Sequence, residues 1–203
     1  SDVYKRQGKI IDEAIEEATT LTKHLKRYRN ILDIGTGGGL PGIPLAIFNE
    51  NKNIYLSEKN NKKNYHLKKI IKLLEIKNAK IVGGFNKNTK IGKKVDCVVT
   101  KAFASTKKTI NLTNSFLEKP FTLMLLKGKL KTINSEIVEA NISKENYEII
   151  KIENEKEKHI QKIPVSYTHL RDHETLGTRV SRLLLEIVGG GGGGLVGGGG
   201  GGG

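Results

Sequence analysis

At 203 residues the chain is long enough to bury one substantial core, and a single domain is the expectation. Its 35 Lys+Arg against 21 Asp+Glu leave a formal charge of +14, which points to a polyanionic partner, nucleic acid first. One cysteine, Cys97, excludes a disulfide framework or a cysteine-built zinc cluster, and the lack of a long apolar run or a charged-then-apolar leader predicts a cytoplasmic globular protein with no membrane partner.

From Lys9 to about Tyr28, Ile11, Ala14, Ile15, Ala18, Leu21 and Leu25 recur at spacings of three and four, which predicts an amphipathic helix. Asn30 to Ile34 reads as a short apolar strand running into the glycine cluster of Gly35, Gly37, Gly38, Gly39 and Gly42. Pro41 and Pro44 suit the first turn of a following helix, where a missing N–H does little harm. Next come a strand at Asn53 to Ser57, a Lys-rich helix from about Asn60 to Leu74 and a strand at Lys80 to Val82. A strand at Val95 to Thr100, a helix around Lys107 to Leu117 and a strand at Phe121 to Leu126 continue the alternation. A helix near Ile133 to Ile142 and strands near Tyr147 to Ile152 and Lys158 to Ile163 close it. Strands alternating with helices of this length predict an α/β domain, a mostly parallel central sheet with helices on both faces.

The ends read differently. Thirteen of the 24 glycines fall in two runs between Gly189 and Gly203, a composition with nothing to bury and expected to be disordered. Residues 1–7, and the stretch around Ser166 to Glu186, resemble translated sequencing adapter. The expected organisation is therefore a non-native extension at 1–7, one domain at 8–164 and a non-native tail at 165–203.

A glycine-rich turn between a strand and a helix lets backbone N–H groups approach a ligand without interference from a Cβ. Here no Gly-Lys-Ser/Thr follows, so it is not a phosphate-gripping P-loop. Gly37-x-Gly39-x-x-Gly42 satisfies the dinucleotide fingerprint formally, which leaves a nicotinamide or flavin enzyme open. Asp33-x-Gly35-x-Gly37-x-Gly39 fits better the pattern of class I S-adenosylmethionine (SAM)-dependent methyltransferases, with their Rossmann-like fold. An acidic residue closing the second strand should then receive the ribose diol, and Glu58 stands there.

Over Asp33 to Ile47 the run Asp-Ile-Gly-Thr-Gly-Gly-Gly-Leu-Pro-Gly-Ile-Pro-Leu-Ala-Ile resembles the bacterial small-subunit ribosomal RNA guanine-N7 methyltransferase family, called RsmG or GidB. Leu56-Ser57-Glu58-Lys59, Thr100-Lys101-Ala102-Phe103-Ala104-Ser105 and Leu126-Lys127-Gly128-Lys129 extend the resemblance over about residues 30 to 163. The resemblance implies SAM as cofactor, 16S ribosomal RNA or the small subunit as partner, and a monomer. It implies a SAM pocket lined by Gly35, Gly37, Gly39 and Leu40, with Glu58 on the ribose, Asn86 and Lys87 flanking the adenine, and Lys101 at a further binding position. Two departures stand out: the family usually carries arginine where Lys101 stands, and an acidic residue in the loop that here reads Gly83 to Lys87. Relative to the family, both ends of the domain are shortened.

Guanine N7 is an unprotonated lone pair at neutral pH, so its methylation needs no general base, and no metal is expected. Alignment of donor and acceptor carries the chemistry, worth roughly 7–11 kcal/mol. His24, His66 and His159 read as surface or structural, and Cys97 as a buried core thiol. RNA contact falls to lysines, with Lys62, Lys63, Lys127 and Lys129 as the leading candidates and Lys68, Lys69, Lys107, Lys108 and Lys131 behind them. The alternatives are a non-catalytic RNA-binding domain that keeps the fold, and a small-molecule SAM methyltransferase.

Overall fold

The computed structural model describes residues 2–86, 89, 91–153 and 157–166, with side chains from Gly8 onward. The glycine-rich tail lies outside the described residues, as does Lys87. The elements run α1 (Asp2–His24), β1 (Asn30–Ile34), α2 (Gly42–Phe48), β2 (Asn53–Ser57), α3 (Asn61–Leu73), β3 (Ala79–Gly83) and β4 (Cys97–Lys101). They continue as α4 (Thr106–Phe116), β5 (Phe121–Lys127), α5 (Leu130–Glu139), β6 (Glu148–Lys151) and β7 (His159–Val165). One sheet takes them in the order β3-β2-β1-β4-β5-β7-β6. The pairs from β3 through β5 are parallel, and β7 runs antiparallel to both of its neighbours. Chain order reverses between β1 and β4, and the crevice beyond the carboxyl ends of these strands is where such sheets bind ligands.

Both faces of the sheet are covered, so its central strands are apolar at consecutive positions. Ile31, Cys97, Val99, Met124 and Leu126 face one layer with Leu21 of α1, Leu45 of α2 and Leu67 of α3. Leu32, Ile34, Val98, Leu123 and Leu125 face the other, against which Ile110 of α4 packs. Cys97 is buried as expected, and burial pushes its thiol pKa far up.

Some elements depart from expectation. Helix α1 starts seven residues before Lys9 and stops at His24, and its expected apolar stripe splits. Ala14, Ala18 and Leu21 are buried, while Ile11 and Ile15, on another side of the helix, are 58% and 44% exposed. The buried side of α4 is made of Thr106, Thr109 and Thr113. The hydroxyls of Thr109 and Thr113 return to the carbonyls of Ser105 and Thr109 four residues back, at 3.0 and 2.8 Å, which lets them be buried. Strand β7 runs on to Val165, opposite Phe121, one residue past the expected domain boundary at 164.

Candidate active site

After β1 the chain turns through Gly35, Gly37 and Gly39, with φ of 73°, 59° and 98°. The turn is pinned to the next strand, because Gly35 and Thr36 N–H both donate to Ser57 O, at 2.9 and 3.1 Å. Gly39 and Leu40 N–H return to Thr36 O at 2.8 and 3.1 Å. Four N–H groups that a glycine cradle could offer a ligand are thus taken up by the fold. Gly37 and Gly38 have no such backbone partner among the described residues, and a Cβ on Gly38 would meet nothing within 4 Å. These two are the open donors of the turn. Gly39 belongs to the core side: a Cβ there would sit 2.6 Å from Ile43 Cγ1 and 3.0 Å from Leu67 Cδ2. Leu40 is half-buried.

Asp33 ties β1 to α2, its Oδ2 accepting Gly42 N–H at 2.9 Å. A Cβ on Gly42 would lie 2.7 Å from that same oxygen and run into Leu56, so only glycine fits. Burial pushes the Asp33 carboxyl up to about 7, while the nearby Thr36 hydroxyl and the Gly42 N–H pull against it. Asp33 Oδ1 and Thr36 Oγ1 lack a well-formed hydrogen bond of their own.

Glu58 follows β2 directly, so the bonds from Gly35 and Thr36 to Ser57 hold it beside the glycine turn. It is buried, with Oε1 accepting Asn60 N–H at 2.8 Å and Oε2 3.9 Å from Lys63 Nζ. Asn60 in turn caps α3 by accepting Lys62 N–H and Lys63 N–H at 2.9 and 3.2 Å, which sets the angle at which α3 leaves the site. Ser57 Oγ donates to Gly83 O at 2.9 Å, bringing the loop after β3 alongside. In that loop Asn86 is exposed and closes on its own chain, its N–H donating to Thr89 Oγ1 at 2.8 Å and its amide to Gly84 O at 3.1 Å. The structure thus brings Gly35, Gly37 and Glu58 together with the Asn86 loop nearby.

Lys101 sits elsewhere, at the end of β4 on the wall of a cavity of about 400 Å³ shared with Phe103, Lys127, Glu136, Lys158 and Glu17. Its Nζ donates to Glu17 Oε2 at 2.6 Å. Lys158 Nζ donates to Glu13 Oε2 at 2.8 Å and to Glu17 Oε1 at 3.2 Å. Across the cavity, Lys127 Nζ donates to Glu136 Oε2 at 2.7 Å and to Ala104 O at 2.9 Å. Burial raises the Glu136 pKa, but hydrogen bonds from Lys127 and Thr106 outweigh it and hold the carboxyl below its ordinary range. For Lys158 burial lowers the pKa, and the hydrogen bonds to Glu13 and Glu17 outweigh that, keeping the ammonium above its usual value. Sequence reasoning missed Glu17 and Glu136. Each carried a signal, a carboxylate at helical spacing beside buried apolar residues: Ala14, Glu17, Leu21 on α1 and Ile133, Glu136, Ile137 on α5.

Of the lysines read as RNA contacts, Lys62, Lys63, Lys68 and Lys69 are exposed along α3, and Lys107, Lys108, Lys129 and Lys131 are exposed too. Lys127 does not fit that reading. Its side chain is 12% exposed and committed to Glu136 and Ala104, so it is a structural cation of the cavity wall. His159 is buried, with Nδ1 3.0 Å from Gly128 O, in keeping with a structural role.

A seven-stranded sheet of this order, reversed only at β7, with a glycine turn after β1 and an acid after β2, has the fold of the class I SAM-dependent methyltransferases. A SAM-dependent methyltransferase from Aquifex aeolicus is similar in structure, with a TM-score of 0.55 and 14% identity, covering 73% of this chain and 89% of that one. The M. jannaschii TYW2 structure in complex with AdoMet is similar too, with a TM-score of 0.52 and 21% identity over 74% of each chain. The family model GidB, rRNA small subunit methyltransferase G, matches residues 3–163, and the chain belongs to that family. The ribosomal RNA small subunit methyltransferase G of Brachyspira hyodysenteriae is 38% identical over 138 residues, 66% of this chain and 66% of the relative. The chain therefore spans slightly less than two thirds of that relative's length.

Proposed function

We propose that the chain is a SAM-dependent methyltransferase that modifies N7 of a guanine in 16S ribosomal RNA. The observation that carries this reading is the pair of hydrogen bonds from Gly35 and Thr36 to Ser57 O, which holds the residue before Glu58 to the glycine turn at the carboxyl ends of β1 and β2. Family membership supplies the substrate class.

The residues present fit a nucleoside bearing an amino acid. Glu58 would accept the two ribose hydroxyls, because among the described residues its Oε2 has only Lys63, at 3.9 Å, as a charged neighbour. Gly37 and Gly38 would offer N–H donors, Leu40 an apolar edge, and Asn86 a polar group toward the adenine. When bound, SAM supplies a methyl group carried on a sulfonium, an electrophile that an unprotonated guanine N7 accepts with no proton to remove. The chain's part is to hold the acceptor in line, which needs rigid walls and no basic side chain. Lys62, Lys63 and Lys129 would meet RNA phosphates, and the same reading has the chain acting as a cytoplasmic monomer.

Replacing Glu58 with alanine removes two charge-assisted hydrogen bonds to the ribose. SAM affinity measured by calorimetry should fall by about 10- to 100-fold, with unchanged affinity removing Glu58 from the ribose. Primer extension on ribosomal RNA from cells lacking the gene, with and without complementation by this sequence, tests the reaction itself.

A further inference from the structure

The cavity beside the glycine turn has features that the cofactor does not account for. Its wall holds three ammonium groups, Lys101, Lys127 and Lys158, each already paired with a carboxylate of Glu17, Glu136 or Glu13. Such a wall is close to neutral, which suits an uncharged heterocycle better than a phosphate. At about 400 Å³ it lies in the range of small-ligand sites and can admit one extruded nucleoside. Phe103 supplies a flat apolar surface, 39% exposed, and its ring lies so close to Gly35 that a Cβ there would be 2.7 Å from Phe103 Cδ2. The ring thus joins the cavity to the turn of the proposed cofactor site. Between Lys101 and Phe103, Ala102 holds φ of 50°, a left-handed conformation that a residue with a Cβ adopts only at a cost of order 1 kcal/mol. Strain of this kind recurs where side chains must be aimed.

We propose that this cavity is the pocket for the acceptor base, with the purine stacked on Phe103 and Lys101 donating to the carbonyl oxygen O6, so that Lys101 selects guanine over adenine. This rests on the reading of the chain as a purine-N7 methyltransferase. On the groove edge of guanine, O6 stands beside N7, and both are acceptors; adenine places an amino donor at the same point. An ammonium has donors only, so it pairs with the oxo group and is repelled by the amino group. Lys101 Nζ is placed for this. Glu17 takes one of its N–H groups and fixes its direction, its side chain is 30% exposed on the cavity wall, and no second hydrogen-bond acceptor is found for it among the described residues. Contact to O6 alone leaves N7 free for the methyl group. Glu17 is then a positioning residue, anchored in α1 and buried, that acts through Lys101. The assignment moves Lys101 from the cofactor to the acceptor.

Binding of guanosine, inosine and adenosine monophosphates to the full chain, measured by ligand-observed NMR, tests this without requiring turnover. Inosine keeps O6 and lacks the exocyclic amine, so it should bind within about twofold of guanosine, with adenosine weaker by about tenfold or more. Lys101→Met should erase that preference and leave SAM affinity within about twofold, while Lys101→Arg should preserve the preference, since a guanidinium also donates to O6. Equal binding of the guanosine and adenosine nucleotides by the unaltered chain would overturn the proposal, as would no measurable guanosine binding at millimolar concentration. A preference that survives Lys101→Met, or a SAM affinity that falls tenfold or more in that variant, would overturn it as well. A chain that prefers guanosine yet transfers no methyl group to ribosomal RNA would defeat the enzymatic reading and leave the pocket standing.

Discussion

Asp33 holds α2 to the end of β1 through one hydrogen bond, and its burial gives folding a pH dependence in a range where exposed carboxylates have finished titrating. Its folded pKa of about 7 lies above the unfolded value of 3.8, so between the two the native state holds a proton that the unfolded chain has lost. Stability should therefore be greatest on this account below about pH 4, fall as pH rises toward 7, and level off above it, by up to about 4 kcal/mol. Asp33→Asn keeps an acceptor for Gly42 N–H and cannot ionise. Urea unfolding midpoints of the variant should lose this slope between about pH 4 and 7, and a slope that persists would place the titrating group elsewhere. At this scale Gly35, Gly37 and Glu58 could be picked out from the sequence, because a glycine turn and a strand-end acid are both local signals. It did not separate Gly37, which is open, from Gly39, which is covered by Ile43 and Leu67. That distinction depends on how α2 and α3 pack over the turn, which no local pattern specifies.

Among the elements, α1 depends on its one buried carboxylate. Glu17 joins it to Lys101 at the end of β4 and to Lys158 before β7, while Leu21 and Ala18 pack beneath it. Glu17→Gln keeps the shape and removes the charge between two ammonium groups. It should destabilise the protein by about 1–3 kcal/mol, less than the roughly 3–5 kcal/mol of a fully buried pair, because both lysines are partly exposed. Hydrogen exchange should show the amides after Ala14 opening more readily in the variant, and exchange unchanged there would mean that packing alone seats the helix. Strands β1 and β2 were legible to the residue, since burial on both faces writes a short, mostly apolar run after an asparagine, Ile31, Leu32 and Ile34 around Asp33 in one and Ile54-Tyr55-Leu56 in the other. The α1 stripe was legible as helical, but periodicity does not say how far the sheet extends beneath it. Helix α4 carries threonines where an apolar stripe is expected, so its buried face is visible only once Gln161 and Glu136 are seen bonded to Thr106.

For the whole molecule the charge of +14 is unevenly used. The cavity lysines are neutralised locally, and the exposed row on α3 with Lys62, Lys63, Lys68 and Lys69 is left to face solvent beside the proposed cofactor site. Reversing Lys62 and Lys63 to glutamate should weaken RNA binding across sequences. It should also reduce the slope of log affinity against log salt by about 1.5. A slope that stays the same would move the RNA track off α3. Composition alone points to a polyanionic partner. It could not sort Lys127, held by Glu136 and Ala104, from Lys129, which is 69% exposed, because the difference lies in partners distant in sequence.

The walls of the Phe103 cavity come from distant parts of the chain, with Glu17 near one end, Lys101 in the middle and Lys158 near the other. A nascent polypeptide released from the exit tunnel as far as β5 already carries the turn and acid of β1 and β2, but not Lys158. On the proposed assignment, synthesis therefore delivers the residues of the cofactor half before it completes those of the acceptor half.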